Sequence, residues 1–167
     1  MARLFARYLV STHKDPDWSK LTTLHHDCYM ALVSSPDLSW AGVAPYFPAR
    51  YVLAADLTER KVARVWDELA ALDFLIIDKP MGEVCVRTFL KHDEVLKKPN
   101  IVKAFLTALE LVRSPRILFC LCQEVATIHD EGGINDHSLD IISEWNYELS
   151  MVINGELSPE QFAGVAA

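Results

Sequence analysis

The stretch TERKVARVWDELAALDFLIIDKPMGEVCVRTFL, residues 58–90, decides the fold. Its first part predicts an amphipathic helix, because apolar side chains recur at helical spacing. These side chains are Val62, Val65, Trp66, Leu69 and Leu72. Asp56 or Thr58 is expected to cap this helix at its N-terminus. Two β-prone runs, 74–77 and 83–90, then flank a turn containing proline and glycine, so a β-hairpin is expected after the helix.

Two further helices are predicted ahead of this stretch. The first runs from Thr22 or Thr23 to about Ser34, where a serine- and proline-containing turn ends it. The second is short and covers about residues 43–55, and two prolines make it irregular. These elements place three helices before the hairpin.

The predicted fold class is α+β and mostly helical. The order of three helices and a hairpin wing is that of a winged helix-turn-helix domain, which we assign to residues 1–113. Residues 4–10 form a candidate strand that could add a third member to the small sheet.

More helices are predicted after Lys91, and we assign residues 114–167 to an acidic C-terminal helical extension. We expect it to pack on the first domain or to form an interface. One helix begins near Pro99 and the next near Ser114-Pro115. A third begins at Asn135 or Asp136 and continues to about residue 152, with Trp145 on its apolar stripe.

Charge is distributed very unevenly along the chain. All 16 lysines and arginines lie at or before Arg116, where they face 14 acidic residues. Residues 117–167 carry nine acidic residues and no lysine or arginine. The net charge of −7 argues against a general nucleic-acid binder, whereas the concentration of basic residues before residue 117 is compatible with nucleic-acid binding. Two surfaces with different partners are therefore expected.

The predicted third helix and wing supply the candidate DNA-binding residues. In a winged helix the third helix can enter the major groove while the wing contacts the DNA backbone or the minor groove. The candidates are Arg50, Arg60, Lys61, Arg64, Lys79, Arg87 and Lys91. The alternative is a mixed, solvated face or a protein interface, because acidic residues share the helix and Glu68 can pair with Arg64 four residues earlier.

Residues 26–116 resemble a family of actinobacterial and phage winged-helix proteins described as replication-initiator-like or replisome-organiser-like. The resemblance is carried by Tyr29-x-x-Leu32, by Ser35-Pro36-Asp37-Leu38-Ser39-x-x-Gly42-Val43, by Val84-x-Val86-Arg87-Thr88-Phe89-Leu90-Lys91-His92-Asp93 and by Val95-Leu96-x-x-Pro99-Asn100. It implies duplex DNA as a partner and a role in replication initiation or its regulation. The acidic C-terminal end departs from the longer, often basic tails of fuller replication proteins, which weighs against helicase loading.

Other classes of function are poorly supported by the sequence. No glycine-rich phosphate loop occurs, and no nucleophile or carboxylate pair accompanies His92-Asp93, so no enzyme and no cofactor are expected. The string His25-His26-Asp27-Cys28 matches no zinc spacing, so no metal site is expected. Apolar runs are too short to span a membrane and no signal-peptide core is present, so a cytoplasmic location is expected.

A protein-binding adaptor is the alternative to a DNA-binding protein. In that case the winged-helix scaffold and the acidic C-terminal helices would engage a replication or transcription protein of host or phage. The same helices could also mediate a homodimer, which would double a DNA-binding surface.

Overall fold

A computed structural model describes residue 14 and residues 16–52 and 57–164 of the chain. Within these ranges the class is α+β and mostly helical, as predicted, with one small antiparallel sheet. The helices are α1 (Pro16–Ser19), α2 (Thr23–Val33), α3 (Glu59–Ala71), α4 (Phe89–His92), α5 (Pro99–Leu109), α6 (Pro115–Asp130), α7 (Asp136–Trp145), α8 (Tyr147–Ile153) and α9 (Pro159–Ala163). The strands are β1 (Val43–Pro45), β2 (Leu75–Asp78) and β3 (Glu83–Val86), and 3-10 turns cover Pro48–Tyr51 and Val95–Lys97.

The predictions for α2 and α3 are confirmed, including their N-terminal caps. The hydroxyl of Thr22 accepts the N–H of His25, and the hydroxyl of Thr58 accepts the N–H of Lys61. One member of the predicted apolar stripe is an exception. Leu72 is the C-terminal cap of α3 and is 53% exposed, because the helix ends before a further turn could bury it.

The predicted helix over residues 43–55 is wrong, since its first residues form a strand and its middle forms a 3-10 turn. In β1, Val43 lies opposite Cys85 and Ala44 lies opposite Val84 of β3. Neither of the two prolines in this stretch has an N–H to donate to a helical turn, and pairing with β3 supplies the alternative. The candidate strand at residues 4–10 lies outside the described residues, and β1 is the third strand of the sheet.

The predicted hairpin is confirmed, except that its second strand is shorter than expected. β2 and β3 pair antiparallel, and β3 lies at the centre of the sheet in the order β1-β3-β2. The second predicted run is too long, because β3 ends at Val86 and α4 begins at Phe89. Both Phe89 and Leu90 are buried in the helical conformation, and a short apolar run is compatible with either structure.

Downstream, the helices predicted from Pro99 and Pro115 are confirmed as α5 and α6. The single helix predicted from residue 135 to 152 is instead divided at Asn146 into α7 and α8. Trp145 was expected on the buried stripe of that helix, and this is wrong because the ring is 51% exposed. The break changes the helical phase between the residues before it and those after it.

One continuous hydrophobic core connects the sheet, α2 and α3 with the later helices. Its fully buried members include Trp66 of α3, Phe105 of α5, Ile117 of α6 and Leu149 of α8. The C-terminal helices therefore pack on the earlier part of the chain rather than forming a loose tail. Among the described residues, no helix combines the length and the apolar character needed to cross a membrane.

Candidate nucleic-acid interface

The packing of α3 fixes which of its faces is turned to solvent. Val62, Trp66 and Leu69 of this helix are completely buried. The Trp66 ring packs against the rings of Tyr46 and Tyr51, at centroid distances of 5.6 and 4.9 Å. Rotation of α3 about its axis would expose these side chains, so its opposite face must point outward. That outward face carries Arg60, Lys61 and Arg64.

Arg64 is exposed but already has a carboxylate partner on its own helix. Its Nε donates a 2.8 Å hydrogen bond to Oε1 of Glu68, the pairing predicted from their spacing. The other oxygen of Glu68 lies 3.0 Å from Nε2 of His25 on α2. The hydrogen bond from Arg64 is the main cause of a lowered pKa at Glu68, so this carboxylate stays charged at neutral pH. The Arg64 side chain remains 81% exposed despite this bond.

Lys79 links the tip of the β2–β3 hairpin to α3. Its Nζ donates a 2.8 Å hydrogen bond to Oδ2 of Asp67, and this bond is the largest cause of a raised pKa at Lys79. The same ammonium lies 5.7 Å from the centroid of the Tyr46 ring, within cation–π range. Both members of the Lys79–Asp67 pair are about half exposed, so the hairpin tip and α3 present their charges on one side.

The other predicted cations are spread over different parts of the molecule. Arg50 lies on the 3-10 turn that packs against α3, and it pairs with a carboxylate of the preceding loop, Asp37. Arg87 pairs with Asp73, which follows α3, at 2.9 Å. Lys91 of α4 pairs at 2.7 Å with a carboxylate at the end of α6. Lys91 therefore belongs to the junction with the C-terminal helices.

Arg60 differs from these cations. Its side chain is exposed, and it forms no ion pair with another residue in the described parts of the chain. With Arg64 one helical turn away, it is well placed to receive an external anion.

The ion pairs offset the positive charges on this surface without preventing an exchange of partners. Pairs on protein surfaces contribute about 0.2–1 kcal/mol each, because water and salt screen them. A phosphate contact also releases counterions from DNA, which favours the exchange at low salt. The arrangement is compatible with phosphate binding, although its mixed charge also suits a protein partner.

Two arginines beside the hairpin were missed by sequence reasoning. Nη2 of Arg113 donates a 2.9 Å hydrogen bond to the carbonyl of Met81 at the hairpin tip, and its side chain is 71% exposed. Arg116 lines a shallow cleft together with Lys79 and Pro80. Both positions depend on the packing of the start of α6 against the hairpin, for which the sequence gives no local signal.

Nothing in the described ranges groups three or more histidine, cysteine, aspartate or glutamate side chains in a way that could hold a metal ion. The cysteines in these ranges are free thiols, and burial raises the pKa of each.

Comparisons with protein-family models, with curated proteins and with solved structures gave no significant match for this chain.

Proposed function

We propose that this protein is a winged helix-turn-helix DNA-binding protein that contacts duplex DNA through α3 and the β2–β3 hairpin. The order α2, β1, 3-10 turn, α3, β2, β3 supports this assignment, as does the strand order β1-β3-β2. In this interpretation the turn Pro48–Tyr51 lies at the position of the second helix, and the hairpin is the wing.

The exposed face of α3 is the observation that carries the proposal. Arg60 and Arg64 lie one turn apart on this face, opposite the buried Trp66. Guanidinium groups bind phosphates and guanine edges through several N–H donors at once. Lys79 at the wing tip would add a contact with the backbone beside the groove.

The biological role that we propose is replication initiation or its regulation, in a phage or a prophage. The support is the resemblance of residues 26–116 to replication-initiator-like proteins, and not the geometry of the surface. The chain's net charge of −7 opposes association with DNA, so we expect only modest affinity at physiological salt.

Fluorescence anisotropy with a labelled random duplex of about 25 base pairs, at salt concentrations between about 50 and 200 mM, tests the proposal. The Arg60→Ala/Arg64→Ala variant should bind more weakly, and its affinity should depend less steeply on salt. The control is Lys97→Gln/Lys103→Gln, which also removes two positive charges, but from the region of α5. Absence of binding by the wild type at the lowest salt would refute DNA recognition.

A protein-binding adaptor is the second candidate. It is favoured because several predicted DNA-contacting cations already pair with carboxylates of the described residues, namely Arg50, Arg64, Lys79, Arg87 and Lys91. By contrast, the acidic residues of α7 and α8 form no ion pair within the described parts of the chain. A purified partner that forms a stoichiometric complex without DNA would favour this role over the first.

A further inference from the structure

The break between α7 and α8 turns two aromatic rings toward solvent. Trp145 is 51% exposed and Tyr147 is 68% exposed. Asn146 lies between them with φ −145° and ψ 85°, and its side chain accepts a 2.9 Å hydrogen bond from the N–H of Leu149 to begin α8. Leu149 and Val152 then reach the core, whereas the two rings do not. Large exposed aromatic rings on a protein surface often mark an interaction site.

Two exposed carboxylates adjoin these rings. Glu144 precedes Trp145 and Glu148 follows Tyr147, and both are exposed. Neither forms an ion pair with another described residue. Because residues 117–167 contain no lysine or arginine, this segment cannot neutralise them itself. The surface therefore combines aromatic rings with negative charge.

A cation of the protein itself already occupies part of this surface. Nζ of Lys103 on α5 lies 5.4 Å from the centroid of the Trp145 ring, which is the range of a cation–π contact. The indole is thus oriented to receive a positively charged group from a neighbouring segment. An arginine of a partner could stack on an exposed ring and donate hydrogen bonds to a carboxylate at the same time.

We propose that Glu144, Trp145, Tyr147 and Glu148, the aromatic–acidic patch, bind an arginine- or lysine-containing segment of a partner protein. Charge complementarity selects this occupant, because the patch attracts cations and repels nucleic-acid phosphates. The inference goes beyond DNA binding and rests on the second candidate function, for which it names the surface and the chemistry of the partner.

The test uses the full chain and a fluorescent synthetic peptide with four arginines separated by serine and glycine, measured by anisotropy. A peptide with glutamine at each arginine position is its matched control. The wild-type protein should bind only the arginine peptide. The Trp145→Ala/Tyr147→Ala variant, which leaves the net charge unchanged, should bind it at least about tenfold more weakly.

Two further variants separate the patch from a general attraction of peptide to an acidic protein. Glu144→Gln/Glu148→Gln removes two charges within the patch and should weaken binding by about fivefold or more. Glu156→Gln/Glu160→Gln removes two charges from the same segment outside the patch and should change affinity less than about twofold. The expected order of loss is therefore aromatic variant, patch charge variant, remote charge variant.

Equal affinity for the two peptides would overturn the proposal, and so would equal losses for the two charge variants. Wild-type affinity of a folded aromatic variant would overturn it as well. Thermal unfolding monitored by circular dichroism checks folding, and Trp145→Phe/Tyr147→Phe, which retains both rings, should keep most of the binding. Duplex DNA affinity is measured on the same proteins and should be unchanged by the aromatic substitutions, so failure of the patch and failure of DNA binding are distinguishable.

Discussion

Oε2 of Glu83 accepts a 2.9 Å hydrogen bond from the backbone N–H of Ser114, which joins the hairpin strand β3 to the start of α6. The Glu83 carboxylate is only 6% exposed and also accepts the N–H of Arg113. The Ser114 hydroxyl donates a 2.6 Å hydrogen bond to Asp78 of β2 and accepts the N–H of Ile117 as the cap of α6. Both strands of the hairpin are therefore bonded to the segment around residue 113, where we expected a domain boundary.

Glu83→Ala should lower the free energy of unfolding by about 3 kcal/mol, because it leaves the N–H of the buried Ser114 and the N–H of Arg113 without their acceptor. Urea denaturation followed by circular dichroism measures this change. Glu156→Ala, at an exposed position, is the control and should have little effect. A Glu83 variant as stable as the wild type would contradict a structural role for this carboxylate.

The elements predicted correctly are those whose signals are local. α3 follows from the spacing of its apolar residues and from the cap Thr58, and the Arg64–Glu68 pair follows from a separation of four residues. The β2–β3 hairpin follows from two β-prone runs and a turn. Each of these features is decided within about one dozen residues, so the sequence alone is sufficient.

The features that were missed depend on contacts distant in sequence or on one local exception. β1 forms because Val43 pairs with Cys85, and this partner outweighs any local helical tendency. The Lys91–Glu131 ion pair joins residues 40 positions apart, and it depends on the packing of α4 against α6. Trp145 was assigned to the core because the pattern of apolar residues continues through Asn146, although the helix does not.

Gly42→Ala should be strongly destabilising because the position combines a φ of +71° with a close approach of another side chain. A Cβ added there would lie 2.7 Å from Cβ of Phe89, which is itself buried. We expect a loss of about 3 kcal/mol, from backbone strain and from overpacking together.

Gly132→Ala is the matched control, because it introduces the backbone strain without the overpacking. Gly132 has the same φ of +71°, and a Cβ added there would meet nothing within 4 Å. Its substitution should cost about 1 kcal/mol. Denaturation midpoints of the two variants measure the difference, and equal losses would show that Phe89 moves aside without cost.

Glu124 of α6 should make the stability of the protein depend on pH. Burial raises the pKa of Glu124 to about 8, although the positive charges of Arg87 and Lys91 act in the opposite direction. Between the ordinary value near 4.5 and about 8, the folded state keeps a proton that the unfolded state releases. The stability contributed by this group is therefore complete below pH 4.5 and is lost as the pH rises toward 8, by at most about 1.4 kcal/mol per pH unit.

Glu124→Gln tests this assignment, since glutamine resembles the protonated carboxyl and cannot ionise. Chemical denaturation of the wild type and the variant at several pH values between about 5 and 9 gives the difference in stability. The free energy of unfolding of the variant, relative to that of the wild type, should increase as the pH rises. Glu156→Gln controls for the change in net charge. A difference that stays constant across this range would contradict a shifted pKa at Glu124.

Glu68→Gln should strengthen DNA binding if the outward face of α3 contacts phosphates. The substitution removes a negative charge from that face and releases Arg64 from its 2.8 Å hydrogen bond with the carboxylate. We expect affinity for a random duplex at low salt to rise about two- to fivefold. Glu156→Gln, which changes the net charge equally but lies on the C-terminal segment, should produce a smaller gain.

The decisive comparison repeats Glu68→Gln in the Arg64→Ala background. The gain in DNA affinity should be smaller there, because the arginine that the substitution releases is absent. A gain of the same size in both backgrounds would show that Glu68 acts only through general repulsion and that Arg64 does not contact the DNA.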